Sequence, residues 1–222
     1  MKKKFVKARG WKKLLCASLA VALFTCGTFS NYATALYESW KSGKRIKGTY
    51  DFMLTPHKDF GATTIAHMNN ALYEWNKYLP SGVHGVKREP TLRHSLSNYH
   101  IRAESENDGK SLIYRQNLGS YDDKVAVTRR VYYIIDGMPF EKNIVFEADV
   151  CMNTYYKFAN SGIKDHVDVW SVFLHEAGHI FGFNDMDPVA YNQAVMCAQI
   201  TTGTEKRSIT LTEQKVLKDI YK

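Results

Sequence analysis

Apolar positions in this 222-residue chain change their period along its length, and each change marks an element. The opening stretch has no period. Seven cations between Lys2 and Lys13 lead into a mainly apolar run from Leu14 to Phe29, and Ala33, Thr34 and Ala35 follow with the spacing of a signal-peptidase site. That run is broken by Cys16, Ser18, Thr25, Cys26, Gly27 and Thr28, and it falls short of the roughly 18 to 20 residues a membrane span needs. Residues 1–35 are therefore expected to be a cleaved Sec-type export signal. A retained membrane anchor is the alternative, and the expected protein is a secreted, extracellular one from a bacterium.

Beyond the leader the pattern alternates between the two regular periods. Lys47 to Leu54 reads as a strand, and Ala62 to Leu79 as a helix with Ile65, Met68, Leu72, Trp75 and Leu79 on one face, ended by Pro80, Ser81 and Gly82. Strands are expected at Tyr99 to Ala103, Val125 to Ile134 and Asn143 to Cys151, with a polar turn through Asn107, Asp108 and Gly109. A looser segment containing Asn153, Asn160, Ser161 and Gly162 leads to a helix whose Val169, Trp170, Val172, Phe173 and Ile180 make it apolar on all sides, the mark of a buried helix. Irregular chain to about Ser208 precedes a closing helix, Leu211 to Tyr221, capped by Thr210 or Thr212. No repeat or linker divides residues 36–222, so the reading is one α+β domain: a mixed twisted sheet with a backing helix, a central helix and a C-terminal helix.

The buried helix carries the chemistry. Residues 175–185 read HEAGHIFGFND. His175 and His179, four apart, project from one helix face about 5.4 Å from each other and can share a metal, while Glu176 points about 100° away and suits a general base acting on zinc-activated water. Gly182 can end the helix in a left-handed turn that sends the chain back toward the metal, where Asp185 arrives as a third ligand. Two imidazoles and one carboxylate leave a fourth zinc position open, as in catalytic rather than structural sites.

Charge and cysteine content sharpen this reading. Removing the seven leader cations takes the formal charge from +8 to +1, and no Lys/Arg stripe with interleaved aromatics survives, which excludes nucleic acid as a partner. A monomer is the expected state. Cys16 and Cys26 leave with the signal. Cys151 and Cys197 remain as an even pair in an oxidising compartment, where a disulfide would contribute a nominal ~4 kcal/mol; the alternative is a free thiol at Cys197 close to the metal.

Three pieces together resemble the metzincin clan of zinc peptidases, and bacterial matrixin-like members in particular. HEAGHIFGFND is similar to the clan's extended zinc signature, Ala194, Val195 and Met196 resemble its Met-turn, and LTEQKVLKDIY (Leu211 to Tyr221) resembles the closing helix of matrixin catalytic domains. The usual matrixin third ligand is histidine; Asp185 here is similar to the aspartate version found in snapalysin. The resemblance implies a metzincin-type catalytic domain with one catalytic Zn2+ on His175, His179 and Asp185, and Glu176 as general base in peptide hydrolysis. It places Met196 beneath the zinc as a packing residue. Related enzymes also bind Ca2+, for which Asp122 and Asp123 are the weak candidates here.

Alternatives remain at this point. A gluzincin-type peptidase would take its third ligand from Glu205 or Glu213, and Asp187 is a second-best aspartate. A secreted zinc-containing binding protein without turnover would share the ligands, although Glu176 is intact. Tyr191 is placed in packing, and His57, His67, His84, His94, His100 and His166 lack ligand spacing.

Overall fold

A parallel sheet curled against two helices carries the site. The computed structural model describes residues 39–89, 109–118, 124–133 and 143–222. Residues 1–35, expected to be an export signal, the strand expected at Tyr99 to Ala103, the turn expected through Asn107 and Asp108, and the Asp122–Asp123 pair lie outside the described residues. The elements in order are β1 (Lys44–Ile46), β2 (Phe52–Pro56), α1 (Ala62–Asn76), β3 (Val86–Arg88), β4 (Leu112–Gln116), β5 (Ala126–Tyr133), β6 (Asn143–Asn153), the short pair β7 (Phe158–Ala159) and β8 (Val167–Asp168), α2 (Val169–Phe181) and α3 (Leu211–Ile220). The architecture is thus α+β, with three helices among the described residues.

The main sheet runs β1-β6-β4-β2-β3, all parallel, and β5 joins β6 antiparallel. Among the described residues β5 pairs with β6 alone, so it forms one edge of the sheet. On the helix side of the sheet α1 and α2 pack together through the Trp75 indole, which donates from Nε1 to the Leu174 carbonyl at 2.7 Å and stacks within 4.8 Å of Phe183. Trp40, Phe173, Phe181 and Phe183 complete this core at 2% exposure or less. Ten residues of α2 are buried, and Trp170, His175 and His179 are the half-buried exceptions.

Several elements differ from the sequence reading. Of the strand expected at Lys47 to Leu54 only Phe52 to Leu54 is strand, within β2, and β1 lies before it; Gly48 turns the chain between the two at φ +76°, its carbonyl accepting from His84 N at 2.8 Å. The first helix ends at Asn76, whose side-chain amide pairs with both backbone groups of Val86, accepting at 3.1 Å and donating at 2.7 Å. That pairing also sets β3, which was not foreseen; three residues are too few to show a period. β4 escaped the sequence reading for another reason: its apolar residues Leu112, Ile113 and Tyr114 are consecutive and buried together, so they show no alternation. Cys151 and Cys197 are both free, buried thiols, so the expected cross-link is not formed. Cys151 packs in a cluster with Leu112 and Tyr114, and burial pushes its thiol up to about 11, keeping it protonated and unreactive.

Buried acids fasten the ends of the site helix and its supports. Asp168 caps α2, accepting from Ser171 N at 2.9 Å and Ser171 Oγ at 2.6 Å, and its carboxylate is forked by Arg207. At α3, Thr210 and Glu213 form a capping box, and the other Glu213 oxygen accepts from Met196 N at 2.9 Å. The α3 helix thereby holds the loop that carries Met196. Inside α2, Gly178 has no room for a side chain: a Cβ there would overlap Met196 Sδ and lie 2.8 Å from Trp75 Cζ2.

Two stability changes should follow. Asp168→Ala removes the cap and one partner of a largely buried pair, and should cost about 2 to 4 kcal/mol in urea denaturation, whereas Asp168→Asn, which keeps a capping oxygen, should cost less. Gly178→Ala forces Met196 or Trp75 to move, and should lower stability by about 1 to 3 kcal/mol despite alanine's higher helix propensity. A Gly178→Ala protein as stable as the original would mean that this contact is slack.

Candidate metal centre

Helix geometry brings the two imidazoles together, and two backbone carbonyls decide which nitrogen each presents. His175 Nδ1 lies 2.9 Å from the Val195 carbonyl, and His179 Nδ1 lies 3.1 Å from the Phe183 carbonyl. A carbonyl only accepts, so each neutral ring carries its proton on Nδ1 and turns the Nε2 lone pair inward. Asp185 Oδ1 sits 3.0 Å from His175 Nε2 and 3.4 Å from His179 Nε2. Ligand bonds of about 2.0 to 2.2 Å to a tetrahedral zinc imply ligand–ligand edges of about 3.3 to 3.6 Å, close to both distances. His175, His179 and Asp185 have donor atoms within 4.8 Å of one another, and they form the sole such group among the described residues. The donor set and its outer hydrogen bonds therefore fit a zinc ion.

The turn that delivers Asp185 is built by Gly182. At φ 112° it terminates α2 in the left-handed region; Phe183 N donates to Gly178 O at 3.0 Å and Gly182 N to His179 O at 3.2 Å, the paired bonds of a Schellman motif. The N-terminal segment then braces the turn. Ser42 N donates to Gly182 O at 2.8 Å, Asn184 N donates to Trp40 O at 2.9 Å, and a substituted Gly182 would press on the Lys44 carbonyl. On the far side, Met186 N donates to Met196 O at 2.7 Å and Ala198 N to Met186 O at 2.9 Å, so the ligand turn and the Met196 loop are stitched together. Met196 is fully buried against Gly178, the packing position expected of it.

Glu176 stands apart from the three ligands. Its Oε2 accepts from Thr128 Oγ1 at 2.6 Å, and the same hydroxyl lies 3.1 Å from the Glu176 carbonyl. Next but one on β5, Arg130 donates from Nη1 to the His179 carbonyl at 2.8 Å and to Ser42 Oγ at 3.1 Å. Edge strand β5, Glu176 and α2 are thus joined by side chains. They line a cleft of about 680 Å³, to which β5 and residues 195 and 197–201 contribute.

Charges in the cleft are mutually supporting. His175 first, and then His179, hold the Asp185 carboxyl well below the ordinary carboxylate range, so it is an anion at any working pH. Burial opposes charge on His175, but Asp185, Glu176 and the Val195 carbonyl outweigh it and raise its pKa. Burial lowers the Arg130 pKa, and the nearby Asp185, Tyr132 and Glu176 oppose that shift.

The other candidates fall elsewhere. Asp187 is exposed and caps its own turn, accepting from Val189 N at 2.7 Å. Glu213 is committed to Thr210 and Met196, and Glu205 to Gly162 N and Arg207, so neither meets the imidazoles. Tyr191 packs edge-on against Trp40 at 4.9 Å. His57, His67, His84 and His166 lie away from the cleft; His94 and His100 lie outside the described residues. Cys197 does line the cleft wall. Thr128 and Arg130 were missed by sequence reasoning: they sit 48 and 49 positions from their partners on α2, and nothing in the residues around them signals the contact. Compared with known proteins, the chain matches no protein-family model and no curated protein.

Proposed function

We propose that the chain is a secreted zinc-dependent endopeptidase of the matrixin-like metzincin type, hydrolysing peptide bonds in protein or peptide substrates. The observation that carries this reading is one cleft holding an open set of two imidazoles and a carboxylate with, one residue along the helix, a separate carboxylate aimed by its own hydrogen bond. The Met196 loop beneath Gly178 and the aspartate at position 185 support the snapalysin-like version of the plan.

His175, His179 and Asp185 would hold the ion. When bound, zinc supplies Lewis-acid polarisation of the scissile carbonyl and acidifies the water beside it. Thr128 holds Oε2 of Glu176, which leaves Oε1 to take the proton from the attacking water. As the new C–O bond forms and the C–N bond breaks, Glu176 passes that proton to the leaving amine. An extended substrate has a natural place along β5, whose outer edge borders the cleft at Ala126 to Thr128.

Two experiments follow. The purified secreted chain should cleave casein, lose activity with a zinc chelator and regain it with added zinc. Glu176→Ala should keep one zinc per chain while losing about 10² to 10⁴ in kcat, and Asp185→Ala should lose the zinc itself, with Glu205→Ala and Glu213→Ala keeping it. A zinc-loaded wild type that cleaves nothing would leave a binding protein in place of an enzyme. Thr128→Val should cost about tenfold in kcat at unchanged KM and zinc content, the loss of one hydrogen bond to a charged group, and Thr128→Ser should restore it. Equal kcat in all three proteins would remove Thr128 from the machinery.

A further inference from the structure

The cleft lining holds a cation that no described carboxylate neutralises. Lys206 lines the cleft, and its ammonium donates only to the carbonyls of Ala194 at 3.2 Å and Gln199 at 3.5 Å. Other cations nearby are differently placed: Arg207, the next residue, is forked onto Asp168, and Lys77 is paired with Glu74. Carbonyl oxygens orient an ammonium without cancelling its charge, and two acceptors leave one of its three donors unused.

The position of Lys206 ties that charge to the metal centre. Its backbone N–H donates to Ser171 Oγ at 2.7 Å, one turn before His175 on α2. Ala194, which holds its ammonium, directly precedes Val195, whose carbonyl orients His175. Val172, Val195, Ala198 and Ile200 belong to the same cleft lining as Lys206 and the imidazoles, and give it apolar surface beside its polar and charged members. A divalent ion would offset Asp185 and Glu176, which leaves the cations lining the cleft, Lys124, Arg130 and Lys206, in excess.

We infer that Lys206 is a specificity-determining residue, selecting substrates with an acidic side chain, glutamate foremost, next to the scissile bond. Glutamate suits this mixed lining: its methylenes can pack on the apolar side chains and its carboxylate takes the unused ammonium donor. The charge-assisted hydrogen bond replaces solvent on a lysine already held in place, so little side-chain freedom is lost on binding. The inference rests on the peptidase reading for the position of the scissile bond.

The test compares peptide pairs that differ only by Glu against Gln at each position flanking the cleaved bond, an exchange that changes charge at nearly constant shape. Wild type should favour Glu at one position by about three- to tenfold in kcat/KM, an advantage that shrinks as salt rises. Lys206→Met should abolish the ratio and Lys206→Glu should turn the preference toward Lys or Arg, while Lys206→Arg keeps it; Lys206→Gln stands in if the Met variant does not fold, with zinc content and Tm as the check. The same ratio should appear in the Kd of fluorescent peptides bound to Glu176→Ala protein, which reads the pocket without turnover. Cleavage with equal rates for Glu and Gln, or a ratio that survives Lys206→Met, overturns the inference and leaves the peptidase reading intact. Lys206-dependent binding of the Glu peptides by a protein that cleaves nothing overturns the peptidase reading and leaves the anionic pocket standing.

Discussion

Two backbone carbonyls, those of Val195 and Phe183, determine what this site can bind. Each accepts from a histidine Nδ1 and so commits Nε2 to the cleft. Without them the imidazoles would be free to rotate or to present the wrong nitrogen, and the spacing of His175 and His179 would be only a helix-face coincidence. Both carbonyls lie outside the helix they serve. Much of the surrounding structure can be understood as holding two loops still: Gly182 and the Schellman bonds fix Phe183, while Glu213 and the Met196–Gly178 contact fix Val195.

The braces share one physical device, the buried carboxylate with its lone pairs taken up by the backbone. Glu213 is fully buried, and burial raises its pKa against the pull of the Thr210 and Met196 N–H groups. Asp168 is equally buried, yet Arg207 and Ser171 outweigh burial and hold its pKa low. The contrast follows from charge pairing: Asp168 has a guanidinium and Glu213 has only neutral donors. Glu213, spent on the backbone in this way, is not available as a ligand; Glu205, its exposed competitor, is held instead by Gly162 N and Arg207.

How far the site was legible depended on how local its contacts are. The ligands and Gly182 lie within eleven residues, so helix period and glycine's tolerance of positive φ were enough to expect His175, His179 and Asp185 together. The Thr210 cap of α3 was legible for the same reason, since a capping box spans four residues. Contacts between distant segments were not. Thr128 on Glu176, Arg130 on His179 and Lys206 on Ser171 join positions 35 to 49 apart, and each is set by strand register or loop path. The cysteine pairing failed similarly: an even count says that a bridge is possible, while only the packing of Cys151 against Leu112 and Tyr114 says that it is not made here.

These long-range contacts also make the ligand turn a junction. Residues 40–44 lie along Gly182 to Asn184, and Arg130 bonds at once to Ser42 of that segment and to the His179 carbonyl at the end of α2. The arginine therefore spans residues 40–44, β5 and α2 from a half-buried position where its charge is costly. Asp185, more than half exposed, has no such support of its own beyond the two histidines. Its position is inherited from backbone hydrogen bonds on either side, at Asn184 to Trp40 and at Met186 to Met196. A carboxylate held through its neighbours' backbone, with the two histidines as its side-chain partners, is placed to act as a ligand wherever those imidazoles would hold an ion.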